Sequence, residues 1–149
     1  MYSTAMLTFF NCTFVGNQGQ SGGAVATAAS FNCTRCTFVD NVSPTGFGGA
    51  VYASGATMVI LEDCVFVNNS GKNNFPFGLT IAFNGGAVMT QDASTLLLAT
   101  RTLWDNNFVL YFFCFDPSAN LGGSIQSFGP ATLTNCTFRQ SRGNHRVTP

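Results

Sequence analysis

Cys36-Thr37-Phe38-Val39-Asp40-Asn41, followed by Gly48-Gly49-Ala50-Val51, is the stretch that decides the fold, because the chain repeats both halves. The first half returns as Cys12-Thr13-Phe14-Val15-Gly16-Asn17 and Cys64-Val65-Phe66-Val67-Asn68-Asn69. Degenerate copies follow at Thr102-Leu103-Trp104-Asp105-Asn106-Asn107 and Cys136-Thr137-Phe138-Arg139-Gln140-Ser141. The second half returns at Gly22-Gly23-Ala24-Val25, Gly85-Gly86-Ala87-Val88 and Gly122-Gly123-Ser124-Ile125. The two motifs alternate along the chain, which defines a repeat protein.

Aligning the copies on the Cys column sorts their neighbours. Leu7, Phe31, Val59, Leu97 and Ala131 lie five residues before it, and Phe9, Cys33, Leu61, Ala99 and Leu133 three before. Phe14, Phe38, Phe66, Trp104 and Phe138 lie two residues after it. The residues just before it, Asn11, Arg35, Asp63, Arg101 and Asn135, are all polar. Such alternation marks strands with one buried face. The parity slips just before the Cys column, which predicts a corner between two short strands. The Gly-Gly pair opens a third strand, where glycine suits a bend or close contact between neighbouring turns.

Three short strands per repeat, separated by corners, predict an all-β parallel β-helix of about four to five coils. It is expected to form a single domain over 1–149 and to be a fragment of a longer solenoid. Its ladder is Cys12, Cys36, Cys64 and Cys136, with Phe14, Phe38, Phe66, Trp104 and Phe138, and Asn17, Asn41, Asn69 and Asn107. The Asn column is expected to bond along the stack through its side-chain amides.

Alternating Gly-Gly-Ala-Val/Ile and Phe-x-x-Asn motifs resemble the repeats of the chlamydial polymorphic outer membrane proteins. They are also similar to repeats in β-helical surface proteins of protists and algae. The resemblance implies a right-handed parallel β-helix and an adhesive role at a cell surface. Trp104 in place of Phe, Ser141 in place of Asn, and Gly122-Gly123-Ser124-Ile125 depart from the pattern.

Composition narrows the partners. Charged residues make up 8% of the chain, with six basic against six acidic, so no field favours nucleic acid. The apolar run Phe108 to Phe115 is too short to span a bilayer, so no transmembrane segment is expected. Met1 to Phe10 shows no secretory signal, yet five sequons point to an exported, extracellular or cell-surface glycoprotein. Asn11, Asn135, Asn32 and Asn68 are the glycosylation candidates, whereas Asn41 is expected to stay bare on the ladder.

No constellation for catalysis stands out. Glu62 and Asp63 are adjacent and, on a strand, point to opposite faces. The lone His145 lies in a polar tail, and no base is positioned for a Ser or Cys nucleophile. Cys33-Thr34-Arg35-Cys36 is one Cys-x-x-Cys without a second pair, a poor zinc site. The cysteines are expected to be buried free thiols, and no metal or cofactor is expected. The expected function is therefore a non-catalytic structural or adhesive segment, with a carbohydrate-binding or pectate-lyase-like β-helix as the rival.

Two hydrophobic insertions follow Asn69 and Asn107 and should leave the same corner of successive coils. The first carries Phe75, Phe77, Leu79, Ile81 and Phe83; the second carries Phe108, Leu110, Tyr111, Phe112, Phe113 and Phe115. Either they pack together as a satellite core or they form a protein contact. A protein partner or self-association is thus expected, through these insertions or through open coil ends.

Overall fold

A computed structural model describes residues 1–44, 47–56, 58–73, 84–111 and 121–143. The described residues are all β, with no helix. Three five-stranded parallel sheets carry the repeat. One stacks Tyr2–Ser3, Val25–Thr27, Val51–Ala53, Val88–Thr90 and Ile125–Ser127. The next stacks Leu7–Phe10, Phe31–Thr34, Met58–Glu62, Leu96–Thr100 and Ala131–Thr134. A third stacks Thr13–Val15, Thr37–Val39, Val65–Val67, Leu103–Asp105 and Thr137–Arg139. Spatial order equals chain order throughout, so each repeat lies on the one before it, the arrangement of a parallel β-helix.

The register follows the sequence columns. Phe14 pairs with Phe38, Phe38 with Phe66, Phe66 with Trp104 and Trp104 with Phe138. Leu7, Phe31, Val59, Leu97 and Ala131 align in the same way. A one-residue slip would turn the whole apolar set outward, so burial of one face holds the register. Phe38, Phe66, Leu61, Leu97 and Trp104 are fully buried. Their rings lie flat on one another, Phe38 to Phe66 at 4.6 Å and Phe66 to Trp104 at 4.4 Å between centroids.

The expected corner is present, and its cause is backbone conformation. Asn11, Arg35, Asp63, Arg101 and Asn135 all adopt positive φ, between 49° and 55°. A second corner, five residues on, repeats this at Gly16, Asp40, Asn68, Asn106 and Gln140. Asn and Asp tolerate the left-handed region best after Gly, and they hold six of these ten positions. Each positive-φ residue breaks strand alternation, which accounts for the slipped parity.

The glycine pair divides its labour. Gly22 and Gly48 take positive φ, whereas a Cβ on Gly49 or Gly86 would collide with the carbonyl oxygen of Gly86 or Gly123 in the next repeat. Bending and close approach therefore occur at adjacent positions.

The expectation of three strands per repeat is incomplete. A fourth parallel sheet runs through Val42–Ser43, Ser70–Asn73, Phe108–Tyr111 and Arg142–Gly143, just after the Asn column. It pairs Val42 with Ser70, Ser70 with Phe108 and Phe108 with Arg142, residues that share no side-chain type.

Candidate functional site

The Asn column forms a continuous amide ladder. Asn17 Nδ2 donates to Asn41 Oδ1 at 2.9 Å, Asn41 Nδ2 to Asn69 Oδ1 at 2.9 Å, and Asn69 Nδ2 to Asn107 Oδ1 at 3.0 Å. Backbone N–H groups of Asn17, Asn41 and Asn69 donate to the same acceptors. Asn41, Asn69 and Asn107 Nδ2 also donate to the Phe14, Phe38 and Phe66 carbonyl oxygens of the preceding repeat. Asn41, Asn69 and Asn107 are fully buried with these partners, so their amides are occupied by the fold. Asn17, on the outermost repeat, is exposed.

The thiols sit where the columns place them. Cys33, Cys36 and Cys64 are buried, Cys12 and Cys136 partly so, and these five are free. Cys64 Sγ donates to Cys33 O at 3.3 Å. Hydrogen bonding with Cys64, then burial, pushes the Cys33 thiol far above its usual value, so it stays protonated and unreactive at neutral pH. Among the described residues, no group of three or more His, Cys, Asp or Glu is placed to hold a metal ion.

The corner overturns one expectation. Glu62 and Asp63 do converge, because positive φ at Asp63 breaks the alternation that would separate them. Arg101, one repeat further on, clamps both: its Nε donates to Asp63 Oδ1 at 2.6 Å and its Nη2 to Glu62 Oε1 at 2.8 Å. Nη2 also reaches Asp63 Oδ2 at 2.9 Å, giving a bidentate fork. This hydrogen bonding holds the Asp63 carboxyl below the usual carboxylate range and pushes the Arg101 guanidinium up. Both carboxylates are thereby paired with one cation of the chain itself. Arg35, in the same column, lies 5.8 Å over the Phe10 ring.

The sequons fall into distinct environments. Asn11 and Asn135 are exposed at positive-φ corners. Asn68 is half-buried and its Oδ1 accepts from Asn106 Nδ2 at 2.8 Å. Asn32 Oδ1 is buried without a hydrogen-bond partner.

Ser70–Asn73 pairs in parallel with Phe108–Tyr111, and Asn84–Gly85 with Leu121–Gly122. The two insertions thus leave and re-enter at matching positions of successive repeats. Phe75, Phe77, Leu79, Ile81 and Phe83, with Phe112, Phe113 and Phe115, lie outside the described residues. Leu110 and Tyr111 belong to the described strand that begins at half-buried Phe108.

The model of the Chlamydia polymorphic membrane protein (Chlamydia_PMP) repeat matches residues 35–54. That stretch holds Cys36 to Asn41 and Gly48 to Val51, one copy of each motif, and is similar to the repeat over that single unit. No curated protein and no solved structure matches the chain. No helix among the described residues is long and apolar enough to cross a membrane.

Proposed function

We propose that this chain is a non-catalytic structural or adhesive segment of an extracellular or cell-surface β-helical repeat protein, and part of a larger assembly. The observation that carries the reading is the fate of the recurring residues. Ladder amides bond to one another and to core carbonyls, ring faces stack, and glycines permit close approach. Arg101 occupies the one adjacent pair of carboxylates. The repeat match and the five sequons support a surface location.

Within this reading the partner contact belongs to the two insertions. Replacing Phe77, Ile81, Phe112 and Phe115 by Ser should abolish partner binding while leaving the fold intact. Loss of thermal stability without any change in binding would assign them instead to a satellite core. Incubation with pectins, alginates and host glycans tests the class: release of oligosaccharide would replace the structural role with a carbohydrate-active one.

A further inference from the structure

We infer that Cys33 and Cys64 form a disulfide when the chain folds under oxidising conditions, a covalent staple between successive repeats. The inference deepens the proposed extracellular role and takes only the oxidising surroundings from it; the pairing itself rests on repeat geometry.

The Cys column sets the pairing. Its thiol or hydroxyl donates to the carbonyl two residues earlier in the same repeat, at Phe10, Thr34, Glu62, Thr100 and Thr134. It also reaches back to the preceding repeat: Cys64 Sγ lies 3.3 Å from Cys33 O, Thr102 Oγ1 3.5 Å from Leu61 O, and Cys136 Sγ 3.4 Å from Ala99 O. Cys33, Leu61 and Ala99 stand in one inward column. That column reads Phe9, Cys33, Leu61, Ala99 and Leu133, so the same geometry sets Cys64, and no other member of the Cys column, against a thiol of the preceding repeat. The Cys33 and Cys64 thiols hydrogen-bond to each other, and the two residues are 0% and 1% exposed.

Cys36 is the competing partner, and it is placed less well. Cys36 and Cys64 stand just before the paired Thr37 and Val65, in the same column of successive strands. Neighbouring strands lie about 4.8 Å apart, whereas the Cβ atoms of a disulfide lie about 3.8 Å apart. Cys33 and Cys64 are related diagonally, across the corners turned by Arg35 and Asp63, so that spacing does not separate them. Cys64 also acts on the Cys33 thiol more strongly than Cys36 does.

Closing the bond removes one proton and one electron from each thiol. The electrons pass by thiol–disulfide exchange to a disulfide donor, small molecule or protein, which leaves as two thiols. Exchange needs a thiolate with access to the donor, and the folded interior offers neither. The bond therefore forms before these two repeats seal, and sealing then shields it from reductant.

Expression of the full chain in a bacterial periplasm, against expression in a reducing cytoplasm, tests the pairing. Free thiols are blocked with iodoacetamide in denaturant, and unreduced peptides are mapped by fragmentation mass spectrometry. The periplasmic chain should carry a Cys33–Cys64 bond, absent from Cys33→Ser and Cys64→Ser and kept in Cys36→Ser. It should also melt about 5 °C or more above the reduced chain. Refolding the cytoplasmic chain with oxidised and reduced glutathione gives the same reading if the periplasmic yield is poor, and the wild-type map decides if a Ser variant does not fold. Cys33 and Cys64 both blocked as free thiols overturn the inference. So does a bond from either to another cysteine, or a Cys33–Cys64 bond that lowers the melting temperature, because the native thiols would then be misplaced for it. The host or the buffer supplies the oxidant, so failure counts against the pairing and leaves the proposed location untouched.

Discussion

Asn41 and Asn69 are joined edge to edge across two repeats: Asn41 donates both its side-chain amide and its backbone N–H to Asn69 Oδ1, at 2.9 and 3.0 Å. One buried oxygen thus satisfies two donors of the neighbouring repeat. Asn69 returns the arrangement by donating to Asn107 Oδ1 and Phe38 O.

Asn69→Ala should therefore cost about 3–5 kcal/mol, since it leaves several buried polar groups of Asn41, Asn107 and Phe38 unpaired at once. Asn17→Ala, at the exposed end, should cost about 1 kcal/mol or less. Urea unfolding of the two variants reads the difference, and equal losses would contradict a buried, cooperative ladder.

Trp104 stacks on Phe66 at full burial, yet its indole Nε1–H has no hydrogen-bond partner. An orphaned buried donor costs about 1–3 kcal/mol. Trp104→Phe restores the residue type of the column and should change stability by less than about 1 kcal/mol, the lost ring area offset by the removed donor. Phe66→Ala should lose about 3–5 kcal/mol by leaving a cavity. A loss above about 2 kcal/mol for Trp104→Phe, measured by chemical denaturation, would mean that the indole is satisfied in solution.

Gly86→Ala should prevent folding altogether, because its Cβ would fall on the Gly123 carbonyl and beside Phe108 N. Gly55→Ala meets only ordinary contact with Ala28 O, at 3.5 Å, and carries only the strain of positive φ. Its cost should be about 1–2 kcal/mol. Soluble yield and thermal melting separate the two, and a folded Gly86→Ala chain would show that the repeats are not in contact there.

Hydrogen bonding to Arg101 depresses the Asp63 carboxyl. A depressed carboxyl stabilises the fold above its unfolded value of about 3.9, and that contribution disappears as pH falls through the lower folded value. A carbon-13 titration of Asp63 should give a midpoint below about 3.9 in the wild-type chain. Arg101→Gln should raise that midpoint towards the unfolded value. An unchanged midpoint would show that the bridge does not persist in water.

Secretory expression followed by peptide mapping should find glycan at Asn11 and Asn135 and none at Asn41, whose amide is buried and shared with Asn17, Phe14 and Asn69. A glycan on Asn41 would require the ladder to be open.

Much of the fold was legible because its columns reuse residue types. Phe14, Phe38, Phe66 and Phe138 mark one strand, and Asn17, Asn41, Asn69 and Asn107 mark one corner, whatever lies between them. The fourth sheet was not legible: Val42, Ser70, Phe108 and Arg142 share one register position but no side-chain type, so the column leaves no pattern in the sequence. The clamp of Arg101 on Glu62 and Asp63 was hidden for a related reason. The alternation rule assumes extended backbone, and positive φ at Asp63 suspends it at the residue that matters. The sealed interior explains why Cys33 and Cys36 of Cys33-Thr34-Arg35-Cys36 are buried thiols.

The central claim is parallel stacking in the register of the aromatic column. Nuclear Overhauser contacts among ring protons test it most directly, on a chain labelled at Phe and Trp. The account predicts contacts linking Phe14 to Phe38, Phe38 to Phe66 and Phe66 to Trp104, in that order, with ring centroids 4.4 to 4.7 Å apart. Strong Hα–Hα contacts between neighbouring strands, the mark of antiparallel pairing, with no ring contacts between successive repeats, would contradict it.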